Sequence, residues 1–219
     1  MILVTGATGF IGSHLMCLLV QKDVFPVAMF RHESNKNNVW KLFESKFSDA
    51  KERYEKITWR KADLRDLPSL NQAFEGVTHV YHCAGYISLA QRDVKKLLEI
   101  NEQGSAYLVN LCLSHSIKKL VYVSSIAALG NEPTSSIIDE NTPWEKNMDK
   151  TPYAYSKYGG EVEIWRGMQE GLNAVIVNPG IILGKGSPIE KLLQHDKKGI
   201  RWYTILLKLF EFKTPAVVI

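Results

Sequence analysis

Cysteine is scarce in this chain. Cys17, Cys83 and Cys112 are its three cysteines among 219 residues. They stand far apart in apolar runs and fit no metal-ligand spacing. The expectation is therefore reduced, buried thiols in a cytoplasmic protein, with no metal. Blocks of basic charge are missing too. Net charge is +4 and the signs are mixed, so nucleic acid is not an expected partner. No stretch approaches the length of a transmembrane helix. The first strand begins at once, without a basic region or an apolar leader, so no membrane association is expected. Internal repeats and low-complexity segments are absent. What is present, 45% hydrophobic and 23% charged residues, is ordinary globular composition and enough for one core.

The informative stretch is Met1 to Gly12, MILVTGATGFIG. Ile2 to Thr5 reads as a short buried strand. Gly6, Ala7, Thr8 and Gly9 form a tight turn. Phe10 to Val20 carries apolar residues at helical spacing. A helix start presents unpaired N–H groups with partial positive charge. A diphosphate can reach them where glycine removes the side chain. Gly12, one turn in, lets helix and strand pack closely. The spacing is G-x-x-G-x-x-G rather than G-x-G-x-x-G. Strand before and helix after favour nucleotide binding over a merely structural turn. Gly6, Thr8, Gly9, Phe10 and Ile11 are the candidate contacts.

Strands and helices then alternate. Val24–Phe30 is read as the second strand, with pairing delayed by Pro26. Arg31 follows, where an acid would bond the ribose 2′-hydroxyl of NAD. A guanidinium matches a 2′-phosphate, so NADP is the expected cofactor, with NAD as the alternative. Arg31 as a solvated surface residue is the plain reading. Ser34–Tyr54 is read as one helix covering a sheet face. Ile57–Lys61 is the third strand. Asp63 and Leu64 either meet an adenine, or Asp63 caps a helix over Asp66–Phe74. Val77–His82 is the fourth strand, and the small residues after it leave room for a ligand. Leu89–Ser116 is read as a helix with Asn101 inside it, either exposed or there for a reason. Leu120–Val123 is the fifth strand, ending in Ser124-Ser125. Ile137–Lys150 is an acidic surface loop. Tyr153–Gly171 is a helix with Tyr153 and Lys157 on one face. Leu172–Val177 is the sixth strand, closed by Asn178-Pro179-Gly180. The alternation argues an α/β fold with a doubly wound parallel sheet.

Ser125, Tyr153 and Lys157 would then converge at the carboxyl edge of the sheet. Moving a hydride at an alcohol carbon also moves a proton at its oxygen. A tyrosine does this once its pKa is lowered, and a lysine one turn away lowers it. A serine holds the substrate oxygen. A Tyr-x-x-x-Lys pair alone is an ordinary surface pair. Its order after the glycines and Ser124-Ser125 makes it a candidate site.

The chain resembles the extended short-chain dehydrogenase/reductases, the NAD-dependent epimerase/dehydratase group, with dihydroflavonol-reductase-like members nearest. The resemblance rests on Thr5–Gly12, Asp63-Leu64, His82–Gly85, Asn101, Val123–Ser125, Tyr153–Lys157 and Asn178–Gly180, and covers about Met1 to Gly186. It implies a Rossmann fold over residues 1–186, with 187–219 a remnant of the substrate-binding region and an atypical tail. It implies catalytic roles for Ser125, Tyr153, Lys157 and Asn101, with Lys157 also holding the nicotinamide ribose. Asp63 and Leu64 would meet the adenine. Cys83, Ala84, Gly85, Pro179 and Gly180 would line the cofactor. Tyr155 receives no role.

Members of that group are longer by a third or more, and the similarity ends near Thr204. The tail ILLKLFEFKTPAVVI reads as a frameshift or early stop, as a genuine short variant, or as an interfacial helix over Ile205–Phe212. Such an apolar tail predicts self-association or poor solubility, and a homodimer stays open. Three functions compete. The first is an NAD(P)-dependent oxidoreductase acting on a small carbonyl or secondary alcohol. The second is a nucleotide-binding protein without turnover. The third is an NAD-dependent sugar-nucleotide epimerase or dehydratase.

Overall fold

Among the described residues, six strands, each of four or five residues, form one sheet: β1 (Ile2–Thr5), β2 (Val27–Phe30), β3 (Thr58–Lys61), β4 (His79–His82), β5 (Lys119–Val123) and β6 (Ala174–Val177). All neighbours are parallel, in the order β3-β2-β1-β4-β5-β6. The computed structural model describes residues 1–88, 90–130, 138–140, 142–144 and 150–182. The expectations for the tail and for the division at residue 186 lie outside these, as does half of the acidic loop. Parallel neighbours require crossovers, and the helices supply them: α1 (Phe10–Gln21), α2 (Lys36–Lys46), α3 (Ala50–Glu55), α4 (Leu67–Ala73), α5 (Val94–Leu97), α6 (Gly104–Ser114) and α7 (Pro152–Gln169).

The order reverses between β1 and β4. Chain winding outward in both directions from that point covers both sheet faces with helices. Each face therefore has its own core. Leu3, Val80, Leu108, Leu120 and Ile164 anchor one, and Val4, Met16, Ala28, Val39 and Phe43 the other. Leu3 and Val4 are successive residues of β1, so alternation along the strand feeds both cores.

Three elements differ from the sequence reading. β2 begins at Val27, the residue after Pro26, which has no N–H to give the sheet. Ser34–Tyr54 is not one helix. A 3-10 turn (Glu33–Asn35) leads into α2, and Phe47 is extended before α3 starts at Ala50. The break lets α3 fold back, so Phe43 of α2 meets both Phe47 (5.2 Å) and Tyr54 (5.9 Å). The segment read as one helix over Leu89–Ser116 is, from Gln91, a 3-10 turn, α5, a π-helical turn (Leu98–Gln103) and α6. Asn101 lies in the π-helical turn. Among the described residues no helix is long and apolar enough to cross a membrane.

Candidate active site

The β1–α1 turn is built for close approach. Gly6 has φ +65°, and a Cβ there would lie 2.6 Å from the Ala84 nitrogen. A Cβ on Gly12 would lie 2.1 Å from the Gly6 carbonyl oxygen. Glycine is therefore required at both positions by backbone contact. Gly9 precedes α1 in an extended conformation, with no side chain capping the helix and no acid in its first turn. Phe10 and Ile11 are that first turn, so their N–H groups face the glycine turn.

Beside this turn lies a cleft of about 210 Å³. Gly6, Thr8, Gly9, Arg31, Asp63, Leu64, Cys83, Ala84 and Gly85 all line it. It sits outside the carboxyl ends of the strands where their order reverses, the ligand position of open α/β sheets. Met29, Phe30, Asn35 and Tyr86 also line it, and no sequence motif marked them. Asp63 does not cap α4, whose N-cap is Asp66. Instead its carboxylate accepts the backbone N–H of Arg65 (3.0 Å) and pairs with the Arg65 guanidinium (2.9 Å). These hydrogen bonds hold its carboxyl below the usual range. Arg31 is exposed and faces the cleft, close enough to Asp63 to interact with its charge. Glu33, the first acid after β2, lies outside the lining and is bound to Lys36 at 2.6 Å.

The second group of residues comes from β5, α7 and the end of β6. Tyr153 and Lys157 share a face of α7, one turn apart. Lys157 is 4% exposed. Its ammonium donates to the Val123 carbonyl (2.9 Å) and to the Tyr122 hydroxyl (3.3 Å). Burial draws its pKa down to about 8, while Tyr153, Glu161 and Cys83 nearby pull it back up. At neutral pH the lysine is thus a cation beside Tyr153. Ser125 caps a 3-10 turn (Ile126–Ala128), its hydroxyl accepting from Ala127 N–H at 3.2 Å. Pro179 lies beside it, its carbonyl accepting from Ile126 N–H at 3.1 Å. Gly180 stands next to Ile126, whose Cδ1 would lie 3.9 Å from an added Cβ.

Asn101 is 2% exposed, which overturns the solvent-facing reading. Its side-chain oxygen accepts from Tyr86 N–H at 2.7 Å. Its amide donates to the Tyr86 carbonyl (2.9 Å) and to the Ser156 hydroxyl (2.9 Å). Ser156 in turn donates to the Tyr153 carbonyl at 2.8 Å. Asn101 thus ties the cleft wall to the helix that carries Tyr153. A Cβ on Gly85 would come within 3.4 Å of the Asn101 oxygen.

Three buried groups went unassigned in the sequence. His82 hydrogen-bonds Thr5 at 2.6 Å, and Thr5 also accepts from Ala84 N–H at 3.3 Å. Glu161 accepts from the Ser124 hydroxyl and, at 2.6 Å, from Asn178. Asn178 also donates to the Ser125 carbonyl at 3.1 Å, so Glu161 braces the strand ends that carry Ser125. An acid four residues after Lys157 was the available signal for it. Tyr122 on β5 had none.

A parallel sheet with a glycine-walled cleft at its crossover, and a buried Lys beside a Tyr at the same edge, defines a dinucleotide-binding α/β protein. The residues fit such a ligand, because Gly6 and Gly9 line the cleft without side chains and α1 starts there with neither a capping side chain nor an acid in its first turn. The chain belongs to the NAD dependent epimerase/dehydratase family, whose model matches residues 2–201. It is 32% identical over 183 residues to a putative dihydroflavonol 4-reductase of Synechocystis, covering 83% of this chain and 49% of that one. It is 31% identical over 191 residues to cinnamoyl-CoA reductase 1 of Petunia hybrida, covering 83% and 54%. The Thermus thermophilus UDP-glucose 4-epimerase, solved with NAD, superposes with a TM-score of 0.62 at 26% identity, over 81% of this chain and 54% of that one. The chain spans about half the length of the curated relatives it matches.

Proposed function

We propose that this chain is an oxidoreductase that prefers NADP and acts on a small carbonyl or secondary alcohol, with Tyr153 as the acid/base. One observation carries the reading. A buried lysine sits one helical turn from a tyrosine, at the sheet edge that also holds the glycine-walled cleft. When bound, the nicotinamide supplies or accepts the hydride. The glycine turn and the first N–H groups of α1 hold the diphosphate. Asp63 and Leu64 face the adenine side, and Arg31 pairs with a 2′-phosphate that Glu33, committed to Lys36, does not repel. Lys157 sets its positive charge beside Tyr153 and bonds the ribose. Ser125 orients the substrate oxygen. The Tyr153 hydroxyl gives that oxygen its proton on reduction and takes it on oxidation. Asn101, through Ser156, fixes the first turn of α7 and with it Tyr153. A cytoplasmic setting suits the three free thiols.

The test is turnover of NADPH or NADP against a panel of carbonyls and secondary alcohols. Tyr153→Phe is expected to lower turnover roughly 10²- to 10⁴-fold with cofactor affinity intact. Unchanged turnover would remove Tyr153 from the chemistry. Cofactor binding with no turnover in the unaltered chain would favour a binding protein instead.

A further inference from the structure

Beneath Lys157 lies a hydroxyl that no part of the proposed chemistry uses. Tyr122 points from β5 into the joint between α7 and the π-helical turn, and its ring is 1% exposed. The Lys157 ammonium lies 4.6 Å from the ring centroid and donates to the phenol oxygen. On its other side the phenol oxygen stands near the Ser105 hydroxyl, both lying against Gly160. Ser105 spends its own proton on the Asn101 carbonyl at 2.6 Å. Lys157 is the donor in its bond to the phenol, so the phenol oxygen accepts there. Gly160 makes the space, since a Cβ there would lie 2.2 Å from the phenol oxygen.

We propose that Tyr122 is a positioning residue for Lys157: its buried hydroxyl and ring hold the ammonium in place and keep it charged beside Tyr153. The link to Tyr153 rests on the function proposed above, whereas the effect on Lys157 does not. Other titratable groups face the ammonium among the described residues. Tyr153 and Glu161 come from the same helix, Cys83 follows β4, and His82 lies on β4. Burial keeps the His82 ring neutral down to about pH 3 and the Cys83 thiol protonated up to about 12, so neither changes charge near neutrality. Burial also raises the Glu161 carboxyl and the Tyr122 phenol. A neutral phenol accepts from the ammonium without adding a charge beside it.

The experiment is a pH titration of the Lys157 side-chain nitrogen by 15N-lysine NMR in the full chain. The signal is assigned by its loss in Lys157→Met. Tyr122→Phe keeps the ring and removes the hydroxyl. It is expected to lower the Lys157 pKa by about one unit, while Tyr107→Phe on α6 leaves it unchanged. The pair Tyr122→Phe with Ser105→Ala removes both hydroxyls and carries the same expectation should the single variant fold poorly. An unchanged or raised Lys157 pKa overturns the proposal. This readout needs no turnover, so it stands apart from the test of function. Where turnover is measured, alcohol oxidation by Tyr122→Phe should need higher pH with KM for cofactor little changed. A merely structural role would lower the rate at every pH without moving the profile.

Discussion

His82 shows how one residue links cleft, core and pH. Its ring is 1% exposed, 5.3 Å from the ring of Tyr122 and bonded to Thr5. Burial, and to a lesser degree the Lys157 charge, hold its pKa at about 3 against an ordinary 6.5. The folded chain takes up this proton only near pH 3, whereas the unfolded chain takes it up near 6.5. The stability owed to the neutral ring is complete above 6.5 and is lost as pH falls through that window. His82→Asn keeps a partner for Thr5 and removes the titration. Urea unfolding is expected to show a steep fall in stability between pH 6.5 and 4 in the unaltered chain and a shallower one in the variant, whatever its starting level. Parallel slopes would assign the acid sensitivity to other groups. At this scale legibility was uneven. The glycines, Lys157 and the cleft residues are marked by spacing, because backbone clearance and helical repeat leave a pattern in sequence. His82, Tyr122 and Glu161 act through contacts between distant strands and helices, and those leave little local trace.

α7 packs closely against Tyr122 of β5 and against the π-helical turn. Two adjacent glycines on α7 separate close packing from helix propensity. A Cβ on Gly160 would lie 2.2 Å from the Tyr122 oxygen and 2.7 Å from the Asn101 carbonyl. One on Gly159 would meet Glu102 Oε2 at 2.4 Å, the far end of a flexible side chain. Alanine gains up to about 1 kcal/mol of helix propensity at either site. At Gly160 that gain is outweighed by overpacking, which costs about 1–3 kcal/mol. Chemical denaturation should therefore show Gly160→Ala destabilised and Gly159→Ala neutral or slightly more stable. Equal effects would mean that α7 does not press on β5 as described. Element type was legible from the apolar periods, which strands and helices express locally. The failures have one cause, which is tertiary contact overriding a locally plausible helix. α2 and α3 separate so that Phe43, Phe47 and Tyr54 share one cluster. The π-helical turn places Asn101 against Tyr86 and Ser156, where an uninterrupted α-helix starting at Leu89 would have set it in a different register.

Across the whole molecule, the sheet is two wings, β1-β2-β3 and β4-β5-β6, joined along the β1–β4 ladder. The cleft opens at that joint. Arg31 and Asp63 line it from one wing, Ala84 and Gly85 from the other. A ligand seated there touches both wings in the folded chain and finds no such surface in the unfolded one. It must then stabilise the fold by mass action, by about 2.7 kcal/mol at a hundred times its Kd. For a chain of this size that corresponds to a rise in Tm of roughly 5–10 °C. NADP and NAD separate the phosphate question from the diphosphate one. Arg31 is exposed at the cleft rim, so its loss should leave the fold intact. Arg31→Ala is expected to weaken NADP binding about 10- to 100-fold. At a fixed NADP concentration its thermal shift should fall to that given by NAD, with the NAD shift itself unchanged. Hydrogen exchange under NADP should slow both at the β1–α1 turn and after β4, since the ligand bridges them. Equal loss of both thermal shifts in Arg31→Ala would deny the guanidinium its 2′-phosphate. Protection confined to one wing would move the ligand away from the strand crossover.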